Sequence, residues 1–152
     1  MITLEPIGFA YNERDEIGDD YWGEVVSEII LDTSFPEEAL SKIESFSHLD
    51  IIFYFHKVEK KNVFTGARHP RNNKNLPKVG IFGQRSKNRP NQLGLTTVKM
   101  LNKEGRRLFV SGLDCINETP ILDIKPVMKE FLPEEPIVQP EWTHEIMKKY
   151  WD

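Results

Sequence analysis

Long apolar runs are missing from this chain, and their absence removes the first class of function. No stretch approaches the roughly 20 consecutive apolar residues that cross a bilayer as a helix. The opening Met1-Ile2-Thr3-Leu4-Glu5-Pro6 carries neither a basic region nor a cleavage-like segment, so no membrane partner and a cytoplasmic location are expected. Cysteine is almost absent too. Cys115 stands alone, which excludes an internal disulfide and leaves a thiolate-based zinc site without support. It reads as a small buried residue. His48 and His56 lie eight residues apart with no further ligand cluster around them, so no metal is expected. Neither a Gly-Lys-Ser/Thr phosphate loop nor a G-x-G-x-x-G turn occurs, which removes the common nucleotide-binding architectures. Internal repeats and low-complexity segments are lacking as well.

The residues present describe an ordinary soluble domain. The chain has 152 residues, 39% hydrophobic and 29% charged, enough for one domain, 1–152, with a normal core. Its net charge of −4 hides a division. The segment His56 to Arg107 holds 14 of the 20 Lys and Arg but only Glu59 and Glu104 of the 24 acidic residues. Such a segment draws phosphate-rich ligands through counterion release. It would equally neutralise the acidic ends of its own chain or of a second subunit, and charge alone does not separate the two.

Short strand-like runs recur at Val25 to Leu31, Leu49 to Phe55, Lys78 to Phe82, Leu95 to Leu101, Arg107 to Leu113 and Ile121 to Ile124. Asn102-Lys103-Glu104-Gly105 between two of them predicts a tight hairpin. No long helical crossovers separate the runs, so the expected fold is mainly β: a single barrel-like domain of short, mostly antiparallel strands. Two peripheral helices are predicted. Ser34 and Glu37 have capping-box spacing ahead of Ala39, Leu40, Ile43 and Phe46, giving a helix from about Phe35 to Ser45. The second follows Pro140 and covers about Glu141 to Trp151, with Trp142 and Ile146 on one face and Trp142 and Trp151 as packing anchors. Asn12 to Trp22 and Lys60 to Pro77 lack periodicity, and the second is long for an idle loop.

The densest chemistry lies in Val79 to Leu95, a strand, a polar turn and another strand. Gly80, Gly83 and Gly94 allow close backbone approach, while Arg85 and Arg89 offer planar donors for carboxylate or phosphate. On physics alone this is a ligand loop or an ordinary connection. The blocks Phe46-Ser47-His48-Leu49, Phe53-Tyr54-Phe55-His56, Arg68-His69-Pro70-Arg71, Gly80-Ile81-Phe82-Gly83-Gln84-Arg85-Ser86, Arg89-Pro90-Asn91-Gln92-Leu93-Gly94-Leu95, Gly112-Leu113-Asp114 and Thr119-Pro120-Ile121-Leu122-Asp123-Ile124-Lys125-Pro126 resemble, in order and spacing, those of the TrmO/YaeB (TsaA-like) family. The likeness covers about residues 5 to 127. Gln84, Asn88, Gln92, Val127 and Asn117-Glu118 depart from the common bacterial pattern.

That resemblance implies a homodimeric, S-adenosylmethionine-dependent methyltransferase acting on the exocyclic nitrogen of a threonylcarbamoyl-adenosine beside the tRNA anticodon. Carried over by position, it implies cofactor contacts at His56, Lys57, Arg85, Leu95 and the loop Glu118, Thr119, Pro120, Ile121, with an N-terminal contact near Asp20, Tyr21 and Trp22. Methyl transfer chiefly requires alignment, and Arg85 would clamp a carboxylate or orient the base. Asp123 and Asp114 are the candidate proton acceptors, unless each ties a turn. Arg68, His69, Arg71, Lys74, Lys78, Lys87 and Arg89 would track RNA phosphates. Phe64 or Tyr21 would stack a splayed base if not used in packing. The same chemistry on another RNA or a small metabolite, and a non-catalytic RNA-binding barrel, are the competing readings.

Overall fold

Strict alternation along the strand runs decides the architecture, because a strand whose every second side chain is apolar must bury one face. In β3 (His48–Tyr54) Leu49, Ile51 and Phe53 are buried, while Asp50, Ile52 and Tyr54 point outward. The computed structural model describes residues 1–152. Its other strands are β1 (Gly8–Tyr11), β2 (Val26–Leu31), β4 (Ala67–Arg68), β5 (Val79–Gly80), β6 (Leu93–Glu104), β7 (Arg107–Ser111) and β8 (Thr119–Pro126). Six strands close into a barrel in the order β1-β2-β7-β6-β3-β8, every pair antiparallel. Closure leaves no free edge, and the inward side chains of all six strands form one core. Leu49, Ile51, Phe53, Val98, Leu108, Val110 and Ile121 are its centre, each almost wholly buried. Burial of side chains this size contributes about 1.5–3 kcal/mol apiece.

The hairpin between β6 and β7 turns at Gly105, whose φ of +59° suits glycine. Asn102 is not in the turn. It lies in β6, where the register shifts between Met100 and Asn102. A second glycine requirement sits at Gly94, which faces Phe53 across the β3–β6 ladder. A Cβ there would overlap the Phe53 ring.

Four elements differ from the sequence expectation. β1 has only four residues, too few for alternation to stand out, yet it closes the barrel between β2 and β8. The run Lys78 to Phe82 contributes no barrel strand: Val79–Gly80 pairs with Ala67–Arg68 as a separate ribbon, and the chain turns at once through Ile81–Gly83. The helix expected over Phe35 to Ser45 is two 3₁₀ turns, Glu37–Leu40 and Ile43–Ser45, broken at Lys42 with φ +67°. Its capping box does not form, because the Ser34 hydroxyl donates to the Asp32 carboxylate instead (2.5 Å). The apolar face still packs, with Leu40 buried and Phe35, Ile43 and Phe46 against the core.

The last helix, α1, spans Glu141–Ile146 rather than reaching Trp151. Beyond it the chain bends back over the barrel, and the carbonyls of Lys149 and Tyr150 accept the N–H groups of Tyr21 and Trp22 (3.1 and 2.8 Å). After Met147 the helical pattern gives way to tighter turns, the N–H groups of Lys148 and Tyr150 donating to the carbonyls of Glu145 and Met147 three residues back. No helix is long and apolar enough to cross a membrane.

Candidate active site at the barrel mouth

Beyond the end of β3 the chain leaves the barrel through Phe55, His56 and Lys57. The buried Gln92 holds this exit, its side-chain amide donating to the carbonyls of Phe55 and Val58 (3.0 and 2.9 Å). The polar turn before β6 is braced likewise. Arg89 donates to the carbonyl of Gln84 (2.6 Å), and the Gln84 amide donates to the carbonyls of Arg68 and Val79 (3.1 and 2.7 Å). On the N-terminal side Asn12 donates to Ser27 Oγ and the Cys115 carbonyl, and the Arg14 guanidinium lies 3.8 Å from the Trp22 ring centre. Residues 139–151 form the remaining wall. Between these parts lies a cavity of about 1260 Å³.

Six cationic side chains line it, Lys57, Arg68, Arg71, Arg85, Lys87 and Arg89, against the acids Asp19 and Asp114. Apolar wall comes from Trp22, Phe53, Phe55, Leu95 and Ile116. Of the residues named for a cofactor, the fold brings Trp22, His56, Lys57, Arg85, Leu95 and Thr119 to this space. Arg85 is oriented by donating to the Leu95 carbonyl (2.5 Å). Glu118 instead borders a smaller hollow of about 360 Å³ with Phe9 and Tyr11, and His56 and Lys57 form the wall shared by the two.

Other residues named from the sequence stand apart. Ile121 is wholly inside the core, and Pro120 sits opposite Phe9 in the β1–β8 ladder. Asp20 is an ion-pair partner of Arg71 (3.1 Å), and Tyr21 is exposed with φ +69°. Asp123 does not reach the cavity; its carboxylate pairs with Lys125 (3.2 Å), because the β3–β8 register shifts between Phe53, which faces Ile121, and Ile52, which faces Asp123, and this breaks the alternation that would turn it inward. Asp114 does line the cavity and accepts hydrogen bonds from the hydroxyls of Thr96 and Tyr150. Of the basic set, Arg68, Arg71, Lys87 and Arg89 face the cavity. His69 is bonded to the Leu76 carbonyl (2.7 Å), and Lys74 and Lys78 are exposed outside.

The residues that sequence reasoning missed belong to the C-terminal segment. Trp142, Thr143, Ile146, Met147, Tyr150 and Trp151 all border the cavity. The four-residue spacing of Trp142 and Ile146 marks a packing face, but nothing in the sequence shows that this face closes a site.

Burial, then the charge of Lys57, holds the His56 pKa below its ordinary 6.5, so the imidazole is neutral at pH 7. A neutral ring offers one donor and one acceptor. Burial and the adjoining Asp114 carboxylate raise the Tyr150 phenol above its ordinary 10, so it stays a donor. Burial pushes the Cys115 thiol up to about 12, which makes it inert. Backbone strain also collects around the mouth: Arg71, Asn72 and Asn91, which line the cavity, and Tyr21, Gln92 and Glu118 in the adjoining segments have positive φ, with Lys42 the remaining non-glycine case. Such clustering accompanies sites in which geometry is over-determined by the surroundings.

A closed antiparallel barrel whose single large cavity is built from strand ends defines the class: a β-barrel protein with a cation-rimmed, partly apolar cavity at its mouth. Within that class the chain belongs to the tRNA-methyltransferase O N-terminal domain family, whose model matches residues 12–131. It is 40% identical over 105 residues to human tRNA (adenine(37)-N6)-methyltransferase, covering 69% of this chain and 23% of the human protein. It is 36% identical over 128 residues to a probable S-adenosyl-L-methionine-binding protein of Methanocaldococcus jannaschii, covering 82% of this chain and 91% of that one. A crystal structure of TrmO from Pseudomonas aeruginosa superposes with a TM-score of 0.70 at 25% identity, over 92% of this chain and 64% of that chain. This chain thus spans less than a quarter of the human relative.

Proposed function

We propose that the protein is an S-adenosylmethionine-dependent methyltransferase acting on adenine N6 near position 37 of tRNA. The observation that carries this reading is the cavity itself. Ordinary small-molecule sites enclose roughly 300–1,000 Å³, and about 1260 Å³ of cation-rimmed, partly apolar space has room for a cofactor and an acceptor base together. The human relative's name supplies the acceptor, and the archaeal relative's the cofactor.

The residues present fit that cofactor. Arg85 and Lys57 offer charge to its carboxylate, neutral His56 a hydrogen bond, and Trp22, Phe55 and Leu95 an apolar bed. When bound, S-adenosylmethionine supplies a methyl carbon made electrophilic by its sulfonium. The chain's part is alignment. Holding two reactants in attack geometry is worth about 7–11 kcal/mol of barrier, so no strong base is required. Asp114, the carboxylate on the cavity wall bonded by Tyr150 and Thr96, takes the proton released by the acceptor nitrogen. Arg71, Lys87 and Arg89 at the rim meet the RNA backbone.

A homodimer belongs to the same reading. Phe9 and Tyr11 of β1, Pro120 and Leu122 of β8, and Ile52 and Tyr54 of β3 lie on the outer face of three adjacent strands. This apolar belt suits a second copy. Working on tRNA, the protein would act in the cytoplasm. Incubation with tRNA and labelled S-adenosylmethionine, followed by nucleoside mass spectrometry, tests the reaction. A methylated adenosine derivative from position 37 is expected. Bound cofactor with unchanged tRNA would shift the acceptor to another RNA or a metabolite.

A further inference from the structure

The connection between β5 and β6 carries an aromatic ring that the fold itself does not use. In Gly80-Ile81-Phe82-Gly83 the apolar anchor is Ile81, only 2% exposed, while the neighbouring Phe82 leaves 77% of its surface in water. A single exposed apolar side chain needs no explanation by itself. Phe82, however, lines the mouth cavity, and it does so on fixed backbone. The Ile81 N–H donates to the Gly66 carbonyl (2.9 Å) and the Gln84 N–H to the Ile81 carbonyl (3.2 Å). Ahead of the turn, Val79–Gly80 is paired with Ala67–Arg68.

The other rings near the cavity are committed elsewhere. Trp22 and Phe53 are buried, and Trp151 packs edge-on against Tyr150 (4.8 Å between ring centres). Tyr21 and Phe64, the rings named from the sequence for stacking on a base, are not placed for it. Tyr21 does not border the cavity, and Phe64 is half-buried with its ring 5.5 Å from the Arg68 guanidinium carbon. Around Phe82 the charge has one dominant sign: Arg85 and Lys87 of the same connection line the cavity with Lys57, Arg71 and Arg89, against Asp19 and Asp114. A rigid, exposed ring among cations matches a single-stranded nucleic acid, whose phosphates are drawn by the charge and whose unpaired bases offer flat faces to the ring.

We propose that Phe82 is a stacking platform for an unpaired RNA base: its ring takes the face of the nucleotide next to the methyl acceptor and so sets how the strand enters the cavity. That this strand holds the methyl acceptor rests on the function proposed above; recognition of an unpaired base does not. Phe82 touches no reacting atom and is a positioning residue.

The test is a thermodynamic cycle on the full chain. Binding of a tRNA anticodon stem-loop is compared with binding of the same RNA made abasic on one side or the other of the target adenosine, for the wild type, Phe82→Leu and Phe82→Tyr. Phe82→Leu keeps apolar surface but loses the ring, and is expected to weaken the intact RNA about fivefold to a hundredfold. Removing the base at one of the two positions should cost the wild type a similar factor and Phe82→Leu little more, because ring and base form one contact. Phe82→Tyr should behave as the wild type, and the salt dependence should not change. Because the ring is exposed, Phe82→Leu is expected to fold normally; Phe82→Gln replaces it should it not. Wild-type affinity in Phe82→Leu, losses that multiply at both positions, or no RNA binding by the wild type overturns the proposal. Weakened S-adenosylmethionine binding or an altered sedimentation coefficient in Phe82→Leu also overturns it, by assigning the ring to the cofactor or to a second copy. Methyl transfer by the same wild-type sample keeps the two readings apart. Coupling between ring and base without transfer sinks the methyltransferase and leaves the platform, and transfer without coupling does the opposite.

Discussion

The barrel is held by side chains that all want the same thing, whereas the layer over its mouth is held by individual polar bonds. In the barrel, Leu49, Ile51, Phe53 and Val98 leave water on one face of continuous ladders. In the mouth, short 3₁₀ turns and left-handed residues are pinned one at a time by Gln84, Arg89, Gln92 and Asn12. The barrel can tolerate variation as long as the pattern persists. The mouth cannot, because each pin has one geometry. Stability and chemistry are therefore assigned to different residues.

Core truncation should give the largest effect. Phe53→Ala removes a wholly buried aromatic ring and is expected to cost about 3–5 kcal/mol, read from denaturant unfolding, with cavity and barrel lost in one transition. Separate unfolding of the two regions would break the comparison. Arg85→Ala comes next in energy. Loss of one charge-assisted contact, about 1.5–3 kcal/mol, should weaken S-adenosylmethionine roughly tenfold to a hundredfold while the thermal midpoint hardly moves. A collapsed midpoint would place Arg85 with the barrel instead. Tyr150→Phe removes the phenol donor from Asp114 and is expected to cost about 1–2 kcal/mol, with faster hydrogen exchange confined to residues 139–151 and the Tyr21-Trp22 contact.

Two smaller effects sharpen the same division. Arg71→Ala should lower the slope of RNA affinity against log salt by about 1 with little change in cofactor affinity. His56 should titrate below its ordinary 6.5 by NMR. Because the folded value is depressed, the unfolded chain takes up the proton first as pH falls. Stability due to the neutral ring is thus complete above pH 6.5 and declines below it. A midpoint above 6.5 would contradict the burial argument.

The barrel was legible in the sequence because alternation is a property of neighbours, and neighbours are what a sequence displays. β3, β6 and β8 lie close to where the apolar runs put them. β1 escaped because four residues carry no period. The mouth was legible where matched blocks supplied the residues: His56, Lys57, Arg85, Leu95 and Thr119 meet in one cavity. Asp123 and Ile121 show the limit of that route, since they sit in a matched block yet face the outside and the core. Gln84 and Gln92, which look like departures from the family pattern, are two of the pins that shape the mouth. The C-terminal wall was illegible for a plainer reason. The Tyr150–Asp114 bond joins residues 36 positions apart, and no local signal announces it.

Calorimetric titration of the intact protein with S-adenosylmethionine tests the central claim most directly, that the space between His56, Arg85 and Thr119 is a cofactor site. A saturable heat in the wild type, strongly reduced in Arg85→Ala and retained in Asp123→Asn, is the predicted result. No heat from a protein whose barrel is demonstrably folded would contradict the account.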